Sequence, residues 1–543
     1  MVYPAKKHAL KTLQKLAELL PAEDKIKPQI ILLVGEVTPY RNDTDRELPF
    51  RQESNFNYLT GCTVPGSSLL LSASSATSSE LLTNTLFIPP IEPADLMWSV
   101  PPPTLDAAKE SHDVPSVAHV TDLPKALADA LSNANGALVH VLPLQTGKFP
   151  KISEDLITLS QSNPGSSLTD AFLLSALGKA RIIKDDEEIE RIRIANAISS
   201  RAHETVMRVL GQGVRGLIVD GRKDGKGGER PLLPGEWLIE KEAEAEAVFV
   251  ASCRREGAVH QAYLPIVAAS NRAATLHYCC NDREFAWGPV NAHDHKNRAQ
   301  FAHATTDNRK LLPQVLLIDA GCEWDCYAAD ITRTMPVGNN GKFTPESRAI
   351  YSLVHEMQLA AFSALKPGLH WDAVQLLCHR TLVRGFQRLG IFKSPDSQGS
   401  GSWNSEEAIL ASGISAAFFP HGLGHSLGMD VHDVPEISKP GVNPSVEKGL
   451  ELGHPSFYTY LRLRLPLEEN MVVTVEPGCY FHQHLLAPVR DSKHIDHEVL
   501  KRYESVGGVR IEDVVVITKE GYENLTTVRS DVEWVEGVCS GEL

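Results

Sequence analysis

Four stretches in the second half of the 543-residue chain carry acidic or imidazole side chains inside runs that are otherwise apolar. In Val315-Leu316-Leu317-Ile318-Asp319-Ala320-Gly321 an aspartate ends a run of strand character, and a glycine turn follows. The chain returns as Tyr327-Ala328-Ala329-Asp330-Ile331-Thr332-Arg333-Thr334, so a hairpin here would set Asp319 and Asp330 beside one another. The second stretch runs from Phe418 through Gly428 to Asp433. It places His421, His425 and His432 within twelve residues, on a glycine-rich backbone that can approach a ligand closely. A lone histidine is more often a satisfied structural residue; three at this density point to a site. The third stretch is Met471-Val472-Val473-Thr474-Val475-Glu476-Pro477-Gly478. The fourth is Gly507-Gly508-Val509-Arg510-Ile511-Glu512-Asp513-Val514-Val515-Val516, where Arg510 and Glu512 are two apart and share one face of a strand. An exposed alternating strand is the alternative for this last segment, and the apolar run Val514 to Ile517 counts against it.

Carboxylates forced together in apolar surroundings repel unless a cation lies between them. Two Asp, two Glu and at least one His form a set whose bridging carboxylates can hold two divalent ions about 3.5–4 Å apart. Oxygen-rich ligation with a single imidazole suits Mn2+, or Co2+ in vitro, better than the thiolate-rich sets of structural zinc. A water held between two such ions is deprotonated near neutral pH and can attack a carbonyl. Other chemistries lack their residues. His203-Glu204 and His355-Glu356 have no second histidine at His-Glu-x-x-His spacing. A Ser-centred Gly-x-Ser-x-Gly elbow is not evident from the sequence either. The pattern therefore points to metal-assisted hydrolysis.

Positioning such a set takes a large scaffold. A chain of this length predicts two domains. Residues 28 to 180 read as α/β, with strand-length apolar runs at Ile30–Gly35 and Leu86–Ile88 separated by Pro- and Ser-rich stretches. The texture changes at Lys184-Asp185-Asp186-Glu187-Glu188, which opens a helix with acidic residues where the macrodipole favours them. Ile189, Ile192, Ala195 and Ile198 follow at helical spacing. The expected domains are 1–183 and 184–543. Residues 213–235, glycine-rich but without the Gly-Lys-Ser/Thr of a phosphate loop, and residues 281–310, polar and His-rich, read as surface loops.

Apolar content of 42% and charged content of 22% describe a soluble globular protein. Lys+Arg 53 against Asp+Glu 68 gives −15, a balance that argues against a nucleic-acid or anionic-membrane surface. No apolar run approaches the ~18 residues of a membrane helix. The lysine-bearing stretch Met1 to Leu20 lacks the apolar core of a secretory signal and reads as an ordinary first helix rather than a mitochondrial leader. Nine scattered cysteines, an odd number, fit a reducing cytoplasm. Cys322 and Cys326 have no second pair at zinc-site spacing.

In order and spacing, IDAG…DITRT, HGLGHSLGMDVHDV, TVEPG and GGVRIED resemble the proline-specific metallopeptidases of the pita-bread fold, the Xaa-Pro aminopeptidases and prolidases. Phe50-Arg51-Gln52-Glu53-Ser54 through Gly61 is similar to that family's N-terminal signature, and Leu276-His277-Tyr278 to its substrate-site histidine. The resemblance implies an N-terminal α/β domain followed by an α+β catalytic domain whose curved sheet cradles two Mn2+ ions. It implies that Asp319 binds one metal, that Asp330 and Glu512 bridge both, and that His425 and Glu476 complete the other site. Glu476 would also move the proton of the attacking water, and His432 would stabilise the oxyanion. His277 and His421 would contact the peptide around the proline, and Arg510 would hold the metal-site carboxylates in place. The implied partners are small proline-containing peptides and a second copy of the chain. Arg462 and Arg464 precede Glu476, and an arginine near this place resembles the one with which prolidases grip a free prolyl carboxylate; the alternative is that both only decorate a surface loop. Xaa-Pro aminopeptidase is the first reading and Xaa-Pro dipeptidase the second. A metal-free pita-bread binding module is the distant third, because all five ligands are present.

Overall fold

The structure is a computed structural model that describes residues 3–134, 136–215, 238–288, 310–395, 402–439 and 453–543. It forms two compact units, Met1–Glu187 and Glu188–Leu543.

The first unit is built on one mixed sheet. Its strands are β1 (Gln29–Val34), β2 (Ser68–Ala73), β3 (Thr83–Ile88), β4 (Ser116–His119), β5 (Leu138–His140) and β6 (Ser167–Thr169), in the order β4-β3-β2-β1-β5-β6. β1 and β2 run antiparallel, as do β2 and β3, and the remaining pairs are parallel. The continuous apolar run of β1 fits a central strand covered on both faces. Ile30 and Leu32 pack with Leu123, Leu127 and Leu131 of the helix Leu123–Asn133 on one side. Leu13 and Leu16 of the helix Ala5–Leu19 pack with Ala73, Leu138 and Ala176 on the other. The lysine-bearing N-terminal stretch is therefore an amphipathic helix seated on the sheet.

The second unit opens with the helix Asp186–Val214, which buries Ile189, Ile192, Ala195 and Ile198 as their spacing requires. Its strands are β7 (Ile266–Ala269), β8 (Trp287–Gly288), β9 (Lys310–Leu311), β10 (Gln314–Asp319), β11 (Glu323–Trp324), β12 (Tyr327–Ala328), β13 (Thr332–Val337), β14 (Val472–Val475), β15 (Gly478–Tyr480), β16 (Gly508–Arg510), β17 (Asp513–Ile517) and β18 (Tyr522–Asn524). They form short antiparallel ladders: β13-β10-β7, β14-β17-β18, β15-β16, β11-β12 and β8-β9. The helix Pro345–Ala364 packs on β14, β15 and β16 and against the helix Trp371–Leu389.

One expectation changes here. The start of the 281–310 stretch is anchored in the fold, although Asp282 and Arg283 are exposed. Asn281 is buried; its Oδ1 accepts from Val267 N at 2.9 Å, and its Nδ2 donates to Pro265 O at 2.8 Å. Phe285 is buried too, and β8 pairs with β9. Of the stretch 213–235, residues 213 and 214 end the helix Asp186–Val214 and are not loop; residues 289–309 and 216–237 lie outside the described residues.

Candidate active site

The β10–β13 ladder pairs Asp319 with Thr332, and the small β11–β12 hairpin between them returns the chain so that Asp330 falls just before β13. The turn needs Gly321, because a Cβ there would lie 1.9 Å from Ala329 O. Tyr263, three residues before β7, places its hydroxyl 2.5 Å from Asp319 Oδ1 and 2.5 Å from Asp330 Oδ1. On β13, Thr332 Oγ1 donates to Glu512 Oε2 at 2.6 Å, and Glu512 N donates to Thr332 O at 3.1 Å.

The histidine-rich loop lies against β14. His425 N donates to Thr474 Oγ1 at 3.0 Å, and a Cβ at Gly424 would lie 2.0 Å from Thr474 O, so only glycine allows this approach. His425 Nε2 then stands 3.3 Å from Asp330 Oδ2 and 3.5 Å from Glu476 Oε1. Ligand atoms of Asp330, His425 and Glu512 fall within 4.8 Å of one another, and all three residues are buried. Arg510, also buried, donates to Asp319 Oδ2 at 2.6 Å, to Tyr480 OH at 2.8 Å and to Thr332 Oγ1 at 3.1 Å.

The electrostatics of this cluster call for cations. Asp319, Asp330, Glu476 and Glu512 carry −4 when ionised and Arg510 contributes +1, leaving −3. Burial, then the neighbouring carboxylates, hold Asp330, Glu476 and Glu512 well above the ordinary carboxylate range. One phenolic O–H cannot donate to two carboxylates at once, so Asp319 and Asp330 need a further proton or a metal ion to coexist around Tyr263. His425 gives the same indication. Its Nδ1 lies 3.1 Å from Ser426 O and so carries the hydrogen, which leaves the Nε2 lone pair facing two carboxylate oxygens. Burial pushes its pKa down to about 4, keeping the ring neutral. A neutral imidazole with its tautomer fixed by a carbonyl, aimed among carboxylates, is the donor set a divalent metal takes.

The other expected site residues are placed as follows. Burial pushes His421 down to about 3. Its Nδ1 meets Gly422 O at 2.8 Å and its Nε2 meets Tyr480 OH at 2.8 Å, so Nδ1 donates and Nε2 accepts. Both nitrogens are thereby engaged within the protein, and a chain of bonds runs Arg510 to Tyr480 to His421. His432 stacks edge-on against His425 with ring centroids 4.5 Å apart, and its Nε2 accepts from Arg462 Nη1 at 3.2 Å. His277 sits exposed on the turn after the 3-10 segment Ser270–Ala274. Arg464 turns away: its guanidinium clamps the buried Asp372 carboxylate, with Nε 3.1 Å from Oδ1.

Gly424-His425-Ser426-Leu427-Gly428 does spell Gly-x-Ser-x-Gly, contrary to the expectation from sequence. It is no nucleophile elbow, since Ser426 bridges to Val473 in place of a strand-to-helix turn, and its Oγ is buried without a hydrogen-bond partner. Tyr263, Thr332 and Tyr480 received no role from the sequence. Tyr263 gives no local signal. Thr332 could have been found, because Thr332, Arg333 and Thr334 are three successive polar residues in a strand buried at every position.

The profile of metallopeptidase family M24 matches residues 190–519, and that of the aminopeptidase P N-terminal domain matches residues 10–140. A probable Xaa-Pro aminopeptidase of Paracoccidioides brasiliensis is 37% identical over 542 residues, covering 99% of this chain and 97% of that one. One from Podospora anserina is 37% identical over 538 residues, covering 98% and 96%. The chain belongs to metallopeptidase family M24. Among solved structures, Pseudomonas aeruginosa aminopeptidase PepP superposes with a TM-score of 0.70 at 28% identity, over 99% of each chain. Proline aminopeptidase P II from Yersinia pestis gives 0.69 at 26%, again over 99% of each. This M24 chain thus combines an aminopeptidase P-type N-terminal α/β domain with a pita-bread catalytic domain, and it is a metal-dependent hydrolase. Among the described residues, no helix is long and apolar enough to cross a membrane.

Proposed function

We propose that the chain is an Xaa-Pro aminopeptidase that releases the N-terminal residue preceding a penultimate proline. The observation that carries this is the convergence of Asp330, His425 and Glu512 in one buried cluster, in a chain 37% identical along its length to probable Xaa-Pro aminopeptidases. In this reading Asp319, Asp330, His425, Glu476 and Glu512 hold two divalent ions. We take these to be Mn2+, from the oxygen-rich donor set with one imidazole. When bound, such ions activate a water and polarise the scissile carbonyl.

The chain's own groups then have defined tasks. Arg510 holds Asp319 through Oδ2, and the Tyr263 hydroxyl, 2.5 Å from an oxygen of each aspartate, gives its one proton to Asp330. Glu476, buried beside Glu512 and Asp319 at the centre of the cluster, is the carboxyl group placed to accept and return the proton of the attacking water. His432, with Nε2 engaged by Arg462, keeps its Nδ1–H as the donor for an oxyanion. His277, exposed on its turn, contacts the peptide; His421 shapes the proline site with its ring rather than with a free N–H. Proline needs such a pocket because it lacks the N–H that other peptidases grip and its ring fixes φ.

Arg462 favours a second reading. It is exposed beside His432, whereas Arg464 is committed to Asp372. A cation in this position suits the free carboxylate of an Xaa-Pro dipeptide. We place the enzyme in the cytoplasm as a homodimer. The deciding assay offers the Mn2+-loaded protein a free Xaa-Pro dipeptide and a longer Xaa-Pro-Xaa peptide, with EDTA as control. Cleavage of the longer peptide is expected. Cleavage of the dipeptide alone would make it a dipeptidase, and cleavage of neither would reject both readings.

A further inference from the structure

Glu476 and Glu512 lie where two ladders stop. β14 and β17 pair as far as Val475 and Asp513, and β15 and β16 pair again from Gly478 and Arg510. Glu476, Pro477, Ile511 and Glu512 stand between the two ladders. The backbones diverge there: Glu476 N donates to Leu423 O at 2.7 Å, whereas Glu512 N donates to Thr332 O at 3.1 Å. Across the break, Ile511 N reaches Pro477 O at 3.3 Å.

Into this gap the helix Pro345–Ala364 inserts one polar side chain. Gln358 is fully buried on a face it shares with Tyr351, Val354, Met357 and Ala361. Its Nε2 donates to Val475 O at 3.3 Å and to Ile511 O at 3.5 Å. These are the carbonyls of the residues immediately before Glu476 and Glu512. Its Oε1 is buried without a hydrogen-bond partner. As filler, an amide with one unmatched oxygen is worse than Met or Leu, because the oxygen loses water and gains nothing. What the amide does supply is one donor group shared by two diverging strands, at the point where each delivers a carboxylate.

We propose that Gln358 is a positioning residue that sets the separation of Glu476 and Glu512, and through it the affinity of the metal pair. The inference rests on the reading of these two glutamates as metal ligands. Residues that orient ligands from outside the coordination sphere change metal affinity about 10–100-fold when lost.

The test is calorimetric titration of Mn2+ into the metal-stripped full chain, for the parent, Gln358→Met and Gln358→Glu, with thermal unfolding in EDTA alongside. The parent is expected to take up two ions. Gln358→Met, similar in volume but without donors, should fold and bind at least one ion about 10–100-fold more weakly. Gln358→Glu should fall between the two, because a carboxyl buried there stays protonated and its O–H can serve one carbonyl. A space-filling role reverses that order, with Met close to the parent and the buried ionisable group worse. Parent-like affinity in Gln358→Met, or weaker binding in Gln358→Glu than in Gln358→Met, overturns the proposal. If Gln358→Met does not fold, the Glu variant decides alone, and parent-like affinity there overturns it. A parent that binds no Mn2+ would reject the ligand assignment and this inference with it.

Discussion

Removing the Tyr263 hydroxyl isolates a single interaction of the proposed centre. Tyr263→Phe keeps the ring and deletes one oxygen that stands 2.5 Å from both Asp319 Oδ1 and Asp330 Oδ1. Those contacts leave Asp319 Oδ2 to Arg510 at 2.6 Å and aim Asp330 Oδ2 at His425 Nε2, 3.3 Å away. Without the hydroxyl, Asp330 loses the hydrogen bond that fixes its rotamer, while Asp319 keeps Arg510. A hydrogen bond to a charged group contributes about 1.5–3 kcal/mol. In the metal-free protein much of that contribution is absent, since burial and neighbouring carboxylates already push Asp330 toward its protonated form. The loss therefore falls mainly on the metal-bound state. At about 1.4 kcal/mol per factor of ten, Mn2+ affinity should weaken roughly 10–100-fold. Titration calorimetry measures it directly, and unfolding in EDTA should show little change. A Tyr263→Phe variant that binds Mn2+ within a factor of about two of the parent, against that ten-fold floor, would refute the idea that the hydroxyl orients the two aspartates.

Three further outcomes separate the roles of neighbouring groups. Arg464→Ala leaves buried Asp372 without its cation and should cost about 3 kcal/mol in denaturant unfolding with kcat/KM unchanged, while Arg462→Ala should lower kcat/KM at parent stability; the reverse pattern would exchange their roles. His203 is fully buried, and burial lowers its pKa to about 4, so the folded state binds fewer protons than the unfolded one. The associated stability is complete above the ordinary value near 6.5 and is lost as pH falls toward 4; at pH 5 the loss is about 2 kcal/mol, and a His203→Gln variant should lack that slope in urea unfolding. Gly424→Ala forces a Cβ against Thr474 O and should cost about 1–3 kcal/mol of stability and weaken Mn2+ binding, both of which parent-like titration and melting would contradict.

The segments that carry the proposed ligands were legible because each breaks its own local rule. An aspartate ending Val315–Ile318, or a glutamate between Val475 and Pro477, opposes the burial its neighbours demand, and such conflicts mark sites. The groups that hold those side chains were not legible, because they break no rule where they stand. Tyr263 belongs to a loop without periodicity. Gln358 occupies one position of an ordinary helix, and its partners lie 117 and 153 residues away. The stretch 281–288 misled for the opposite reason. Asn281 reads as solvated, yet main-chain atoms of Val267 and Pro265 satisfy it inside the core.

All five proposed ligands sit at ends or breaks of ladders, and this placement has a physical cause. Inside a ladder, neighbouring side chains stand nearly parallel, about 4.5–5.5 Å apart at Cβ, and cannot converge on one point. Convergence requires strands to stop or bend. Asp319 closes β10, Asp330 precedes β13, Glu476 follows β14, Glu512 falls between β16 and β17, and His425 adjoins the Ser426–Val473 bridge. Stopping a strand frees backbone donors and acceptors, which must find partners when buried. Here they find them across segments: Ala320 N with Ile331 O at 3.0 Å, Glu476 N with Leu423 O at 2.7 Å, and Glu512 N with Thr332 O at 3.1 Å. Those cross-segment bonds draw the backbones so close that Cβ atoms at Gly321 and Gly424 would fall 1.9 and 2.0 Å from carbonyl oxygens. The glycines beside the proposed ligands are thus a consequence of how those side chains converge, so substituting Gly321 or Gly424 should disturb the cluster although neither glycine carries a ligand atom.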